Sequence, residues 1–222
     1  MLVEMKGIQK RFKRKEVLRD ITFSLHSGMC AGILGANGCG KSTLLSILAG
    51  VQKPQSGSFL CDGMNLFKKP ALHTQLVGYV PQGTPLMEEL TAKDNLLLWY
   101  GAAQMKKELD DGVLAMLGIH TFLKTPVYKM SGGMKKRLSI GCAVAKHPPV
   151  LLLDEPTAAL DLVCRENIVA YLTRYKAQGG ILLLATHDAS ELDLCDVWYV
   201  LKDGKAQPFA YDGDVHALVK TF

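Results

Sequence analysis

No apolar run in this chain of 222 residues approaches the ~20 residues that a membrane-spanning helix needs. The longest, at 150–153 and 181–185, suit buried strands. The N-terminus, Met1-Leu2-Val3-Glu4-Met5-Lys6, carries charges where a secretory signal requires an apolar stretch, so a cytosolic chain is expected. Paired cysteines are also missing. The six cysteines form no C-x-x-C pair and no metal-ligand spacing with histidine, which predicts reduced thiols and no disulfide framework. Low-complexity tracts, internal repeats and Pro/Ser-rich linkers are absent, and residues 44–130 hold no sustained heptads. The net charge of +5, from 26 basic and 21 acidic residues, is mild: nucleic acid, an anionic membrane surface or nothing could account for it. The densest basic cluster, 10–15, reads most simply as a solvated turn between two strands.

What is present fits an α/β protein with one large or two small domains and an ordinary apolar content of 48%. Strands are expected at 2–5, 17–25, 30–34, 58–61 and 77–80, with turns at Ser27-Gly28 and Asp62-Gly63. From 84 to 146 the pattern turns helical: 95–100 after a capping-box-like Thr91-Ala92-Lys93-Asp94, then 110–117 ending at Gly118. Strands resume at 150–153 and 181–185 around a helix at 162–177, and a hairpin at 197–201 and 206–209 turns at Asp203-Gly204. Buried apolar strands alternating with helices imply a largely parallel sheet, with 84–146 as a helical insertion.

The most specific stretch is Gly35, Ala36, Asn37, Gly38, Cys39, Gly40, Lys41, Ser42, Thr43, which fits G-x-x-x-x-G-K-[ST] at every fixed position. A strand precedes it and a helix follows, the context in which backbone N–H groups converge on phosphate at a positive helix N-terminus. Lys41 is expected to reach the β- and γ-phosphates and Ser42 to ligate Mg²⁺, so a nucleoside triphosphate is the expected ligand. At the end of strand 150–153, Asp154 is placed for the metal shell and Glu155 for polarising an attacking water. His187 ends the next strand, within expected reach of a γ-phosphate. Ser131-Gly132-Gly133 opens a helix running to 146; two glycines in a first turn weaken a helix and make sense where the backbone must approach an anion. Against these stand blander readings: a glycine-rich turn, solvated acids, a surface histidine and a flexible loop.

In this order the phosphate loop, Gln82 in Tyr79-Val80-Pro81-Gln82, the 131–135 segment, the 150–155 strand, Ala159-Leu160-Asp161 and His187 resemble the nucleotide-binding domain of ATP-binding-cassette (ABC) transporters over essentially the whole chain. The resemblance implies an α/β P-loop NTPase (RecA-like) core with an N-terminal antiparallel β subdomain, at 1–83 and 147–222, and an inserted α-helical subdomain at 84–146. It implies ATP and Mg²⁺ as cofactors and hydrolysis of ATP. Catalysis is then expected of Glu155, His187, Gln82 and Lys41, and metal binding of Ser42, Gln82 and Asp154. Phe12 matches the aromatic that stacks on adenine, and Asp161 the aspartate that bridges the two sites of a dimer. Ser131, Gly132 and Gly133 match the signature that contacts the γ-phosphate bound by the opposite protomer. A head-to-tail homo- or heterodimer, a separately encoded permease at the cytoplasmic face of a membrane, and no nucleic-acid partner follow from the same resemblance.

Where the family's signature usually has leucine and glutamine, this chain has Met130 and Met134. Methionine offers no amide to a ribose, but the phosphate contacts need only Ser131 and glycine backbone, so hydrolysis is expected to persist. The basic residues after Met134 resemble those of bacterial exporters. Leu86, Met87, Leu90, Trp99 and Tyr100 are either helical core or a groove for a helix of the membrane subunit. A soluble ABC-type ATPase of cofactor assembly, repair or translation is the alternative; a small-molecule kinase explains neither the signature nor His187.

Overall fold

The computed structural model describes residues 1–158, 160–186 and 188–211. Alternating strands β1 (Leu2–Phe12) and β2 (Lys15–His26) pair antiparallel around a Lys13-Arg14 turn, from Leu2↔His26 to Phe12↔Lys15. Every second side chain of the later part of β2, Ile21, Phe23 and Leu25, is buried, as the strand period requires. β3 (Cys30–Leu34) leads into α1 (Lys41–Leu48), followed by β4 (Ser56–Cys61), β5 (Met64–Asn65), α2 (Pro70–Leu76) and β6 (Val77–Val80). A helical block comes next: α3 (Ala92–Leu97), α4 (Ala102–Asp111), α5 (Val113–Met116) and α6 (Gly132–Ala143). β7 (Val150–Asp154), α7 (Leu162–Ala177), β8 (Ile181–Ala185), α8 (Ala189–Leu192) and the hairpin β9 (Val197–Lys202) and β10 (Lys205–Phe209) complete the described elements.

These strands form one ten-stranded sheet in the order β5-β4-β1-β2-β10-β9-β3-β8-β7-β6. β9, β3, β8, β7 and β6 run parallel, whereas β1, β2, β4 and β5 pair antiparallel. β10 joins the two halves, antiparallel to β9 and parallel to β2 at Lys205↔Asp20. All residues of β7 and β8 are buried, because both faces of this part of the sheet are covered. Leu151, Leu153, Leu182 and Leu184 join Leu96, Leu114 and Leu138 of the helical block. Val150, Leu152, Ile181 and Leu183 join Leu44, Leu45 and Leu48 of α1. Each such leucine contributes roughly 1.5–3 kcal/mol by leaving water. The consequence for function is positional: β3, β6, β7 and β8 end on one edge of the sheet, where an open α/β sheet presents its ligand loops.

Three expectations change. The helix expected at 110–117 is broken, because Gly112 takes an extended conformation (φ −111°, ψ −158°) and the Glu108 carboxylate accepts from Val113 N at 2.8 Å, starting α5 afresh. α2 lies in a stretch read as strands and turns; Pro70 starts it, and His73 anchors it with a 2.7 Å bond from Nε2 to Leu48 O. The first helix of the block begins earlier, at Ala92, where Thr91 and Asp94 form the expected reciprocal cap.

Candidate functional site

The phosphate loop leaves β3 through Gly35, at φ 142°, where a Cβ would meet Leu201 O at 2.6 Å. Only glycine fits that approach. The loop closes at Gly40, the N-cap of α1, and Leu44 N donates to Gly40 O at 2.8 Å. Lys41 is 7% exposed, and its Nζ donates to Gly35 O at 2.6 Å and Ala36 O at 3.3 Å, which folds the ammonium back over the loop. A buried cation with only carbonyls for partners, beside a positive helix end, suits an anion.

Asp154, the last residue of β7, is buried, and its carboxylate lies beside the Ser42 hydroxyl. Burial raises its pKa most; the Ser42 hydroxyl and the charges of Lys136 and Lys41 oppose the rise, and neighbouring Glu155 adds to it. Glu155 follows in the left-handed region, φ 48°, with its N–H donating to Ala185 O at 2.8 Å. Its Oε2 accepts from Gln82 Nε2 at 2.9 Å, so the loops after β6 and β7 meet at the carboxylate. Thr186 is buried at the end of β8. His187, expected to be catalytic, and Ala159 lie outside the described residues.

Ser131 caps α6, its Oγ accepting from Met134 N at 3.2 Å. Gly133 is buried where a Cβ would meet Cys164 Sγ at 2.7 Å, so the signature packs on the first turn of α7. Among the described residues no hydrogen bond joins residues 131–133 to the phosphate loop. Asp161 is the N-cap of α7, with Oδ1 accepting from Cys164 N at 2.8 Å, and that bond lowers its pKa. Phe12 stands exposed at the end of β1 under the Lys10 ammonium, 5.0 Å from the ring centroid. The other strand of that hairpin touches the loop: a Cβ on Gly40 would meet Val17 Cγ1 at 2.9 Å.

The apolar group after Gln82 divides. Tyr100 is core, its hydroxyl donating to Gly141 O at 2.7 Å, and Leu86 packs against the core. Leu90 is half-buried, whereas Met87 and Trp99, joined by Leu98 from outside that group, are 54%, 56% and 55% exposed. These three line a groove of about 720 Å³ between α1, β6 and α6, with Val51 and Pro85 on its rim.

Beside the site, two buried charged residues, Glu191 and Lys136, escaped the sequence reading. Glu191 of α8 is fully buried; its Oε1 accepts from Thr157 N at 2.8 Å and from Thr157 Oγ1. It thereby clamps the loop after β7 to α8. Lys136 of α6 is buried against the carbonyls of Pro81 and Gln82. The available signals were weak: Glu191 is a lone acid just before the apolar Leu192, Leu194 and Cys195, and Lys136 shares the helical phase of Gly133 and Ile140.

Hard oxygen donors, Ser42 hydroxyl beside Asp154 carboxylate, are the chemistry that Mg²⁺ selects, and it usually takes few protein ligands with phosphate and water completing the shell. The described residues contain no group of three His, Cys, Asp or Glu able to cage a metal.

A family model described as ABC transporter matches residues 18–158. The Nod factor export ATP-binding protein I of Sinorhizobium fredii is 34% identical over 98% of this chain and 64% of its own length. A spermidine/putrescine import ATP-binding protein of Spiroplasma citri is 34% identical over 97% of this chain and 63% of its own. The chain thus spans just under two thirds of both relatives. A dimeric ATP-binding cassette in a post-hydrolysis state, bound to ADP and Pi, superposes with a TM-score of 0.82 at 27% identity, over 92% of this chain and 96% of that one. The chain belongs to the ABC transporter family.

Proposed function

We propose that this chain binds Mg-ATP in a head-to-tail dimer, hydrolyses it, and drives a separate permease at the cytoplasmic face of a membrane. One observation carries the reading: Lys41, the Ser42–Asp154 pair and the Gln82–Glu155 pair converge on one sheet edge. Lys41 Nζ and the loop N–H groups hold the triphosphate. Ser42, Asp154 and Gln82 hold Mg²⁺, which when bound neutralises charge on the phosphate oxygens. Glu155 accepts a proton from the attacking water, Gln82 keeps that carboxylate oriented, and His187, next in sequence after Thr186, serves the γ-phosphate. Phe12 stacks on adenine. Residues 131–133 serve the partner's nucleotide, with Asp161 beside them at the dimer seam. The division at 1–83, 84–146 and 147–222 separates a core that holds nucleotide from a helical block that carries the signature.

The permease is supported by the groove behind Gln82, whose exposed Met87, Leu98 and Trp99 suit the apolar face of a partner helix. Export by one relative and import by the other leave direction and cargo to that partner. Two variants separate the parts of the proposal. Lys41→Ala weakens nucleotide binding by the monomer, measured by fluorescent ATP titration. Ser131→Arg leaves that binding intact and abolishes ATP-dependent dimerisation on size-exclusion chromatography; a dimer that still forms and turns over removes the head-to-tail sandwich.

A further inference from the structure

We propose that Lys136 is a positioning residue that fastens the signature helix to the glutamine loop, so that movement of residues 131–133 reaches Glu155 through Gln82. Lys136 is 5% exposed, and its Nζ donates to Pro81 O at 3.1 Å and Gln82 O at 3.2 Å. Gln82 in turn donates from its side chain to Glu155 at 2.9 Å. The chain of contacts therefore runs from α6, through one ammonium and one residue of the loop, to the carboxylate.

Neighbouring cations do not duplicate it. Lys135 pairs with Glu88 at 3.3 Å, and Arg137 Nη1 donates to Leu117 O at 3.0 Å, both within the helical block. Lys135 reaches the loop that follows β6 at the Glu88 side chain, but Lys136 alone of this run bonds the loop backbone at Pro81 and Gln82. An ammonium is costly at a buried position where an apolar side chain would serve packing equally well. Its presence points to what it holds. Asp154, Glu191 and Glu155 act on it as charges and oppose the loss of its proton that burial favours, yet its hydrogen bonds go to the two backbone carbonyls. Helical phase explains the geometry: Gly133, Lys136 and Ile140 are buried together on one side of α6, so the lysine lies under the same face that presents the signature glycine.

This inference rests on the roles proposed above for Gln82 and Glu155, and its test separates the two. Lys136→Met keeps side-chain length and removes every donor; Lys136→Gln is equally uncharged and restores an amide donor. Lost hydrogen bonds that hold a catalytic side chain predict a kcat about 10-fold lower for the methionine variant, with KM for Mg-ATP and nucleotide affinity within about 2-fold, and a glutamine variant closer to the parent. Hydrogen exchange at amides 82–90 rises in Lys136→Met and not in Lys136→Gln, a reading independent of turnover. In Gln82→Ala the methionine substitution adds less than about 2-fold, because both act on one element. Parental kcat in Lys136→Met, equal losses in the two variants, or additive losses with Gln82→Ala overturn the relay. Turnover retained by Glu155→Gln, measured alongside, overturns the underlying assignment of the base instead.

Discussion

Glu155 holds its backbone in the left-handed region, φ 48°, while its carboxylate accepts a 2.9 Å hydrogen bond from Gln82 Nε2, a residue reached through a different strand. A non-glycine residue there is strained by roughly 1–3 kcal/mol and persists only where its surroundings over-determine it. Here the surroundings are the Glu155 N–H to Ala185 O bond and the Gln82 amide. Glu155→Gln preserves size and that backbone bond but removes the proton acceptor. Hydrolysis should fall by a factor on the order of 10²–10⁴ with nucleotide binding retained, and an ATP-bound dimer should accumulate on size-exclusion chromatography. Near-parental turnover would move the base elsewhere, with His187 the next candidate.

Asp154 and Glu191 each contribute a preference of the nucleotide-free fold for low pH. Burial raises both carboxyls in the folded state, so through the range just above ordinary carboxylate values the folded chain holds more protons than the unfolded one. Stability from these groups therefore falls as pH rises through that range. Asp154→Asn removes one such carboxyl while keeping its shape. Its thermal midpoint without nucleotide should exceed the parent's, by more at pH 8 than at pH 5, while ATP hydrolysis declines. A gain independent of pH would mean that the buried charge is not what the substitution relieves.

The elements read correctly from sequence are those whose evidence is local. β3, β6, β8 and α7 stand at the expected bounds because short apolar runs or a helical stretch end at glycine, proline or a capping residue. β1 was read short since residues 6–12 alternate polar side chains along a strand whose role is set by its neighbours β2 and β4. The phosphate loop and carboxylate strand were legible because their chemistry is carried by residue type at fixed spacing. Glu191 and Lys136 were not, since each acts on a backbone atom far along the chain, Thr157 N and Gln82 O, and nothing local marks that partner. Asp161 shows the converse: a cap for α7 and an interface aspartate have the same local sequence.

Substitution in the groove distinguishes surface from core. Met87→Glu alters an exposed side chain, so stability should stay within about 0.5 kcal/mol and the isolated ATPase should persist. Transport in membranes containing the partner should fall sharply. Tyr100→Phe is the contrasting control: it deletes the hydroxyl that donates to Gly141 O and costs about 1–3 kcal/mol. Loss of ATPase activity in isolated Met87→Glu protein would mean that the groove belongs to the catalytic fold.

Cys39 offers a direct probe of the phosphate loop. Cys30, Cys61, Cys142, Cys164 and Cys195 are buried, whereas Cys39 is half-buried. Its Sγ lies where a Cβ on Gly35 would meet it at 2.8 Å, against the wall of the loop proposed to hold the triphosphate. A maleimide should therefore label Cys39 ahead of the other thiols in the folded chain and block ATP binding by filling the site. Mg-ATP at 100 times its Kd should slow that labelling by about 100-fold, because only the free loop reacts. Lys41→Ala, which loses the ammonium that pairs with phosphate, should lose the protection while keeping the labelling itself. Peptide mass spectrometry after timed labelling reads both. Equal modification of Cys39 with and without Mg-ATP in the parent protein would show that the triphosphate does not lie over this loop.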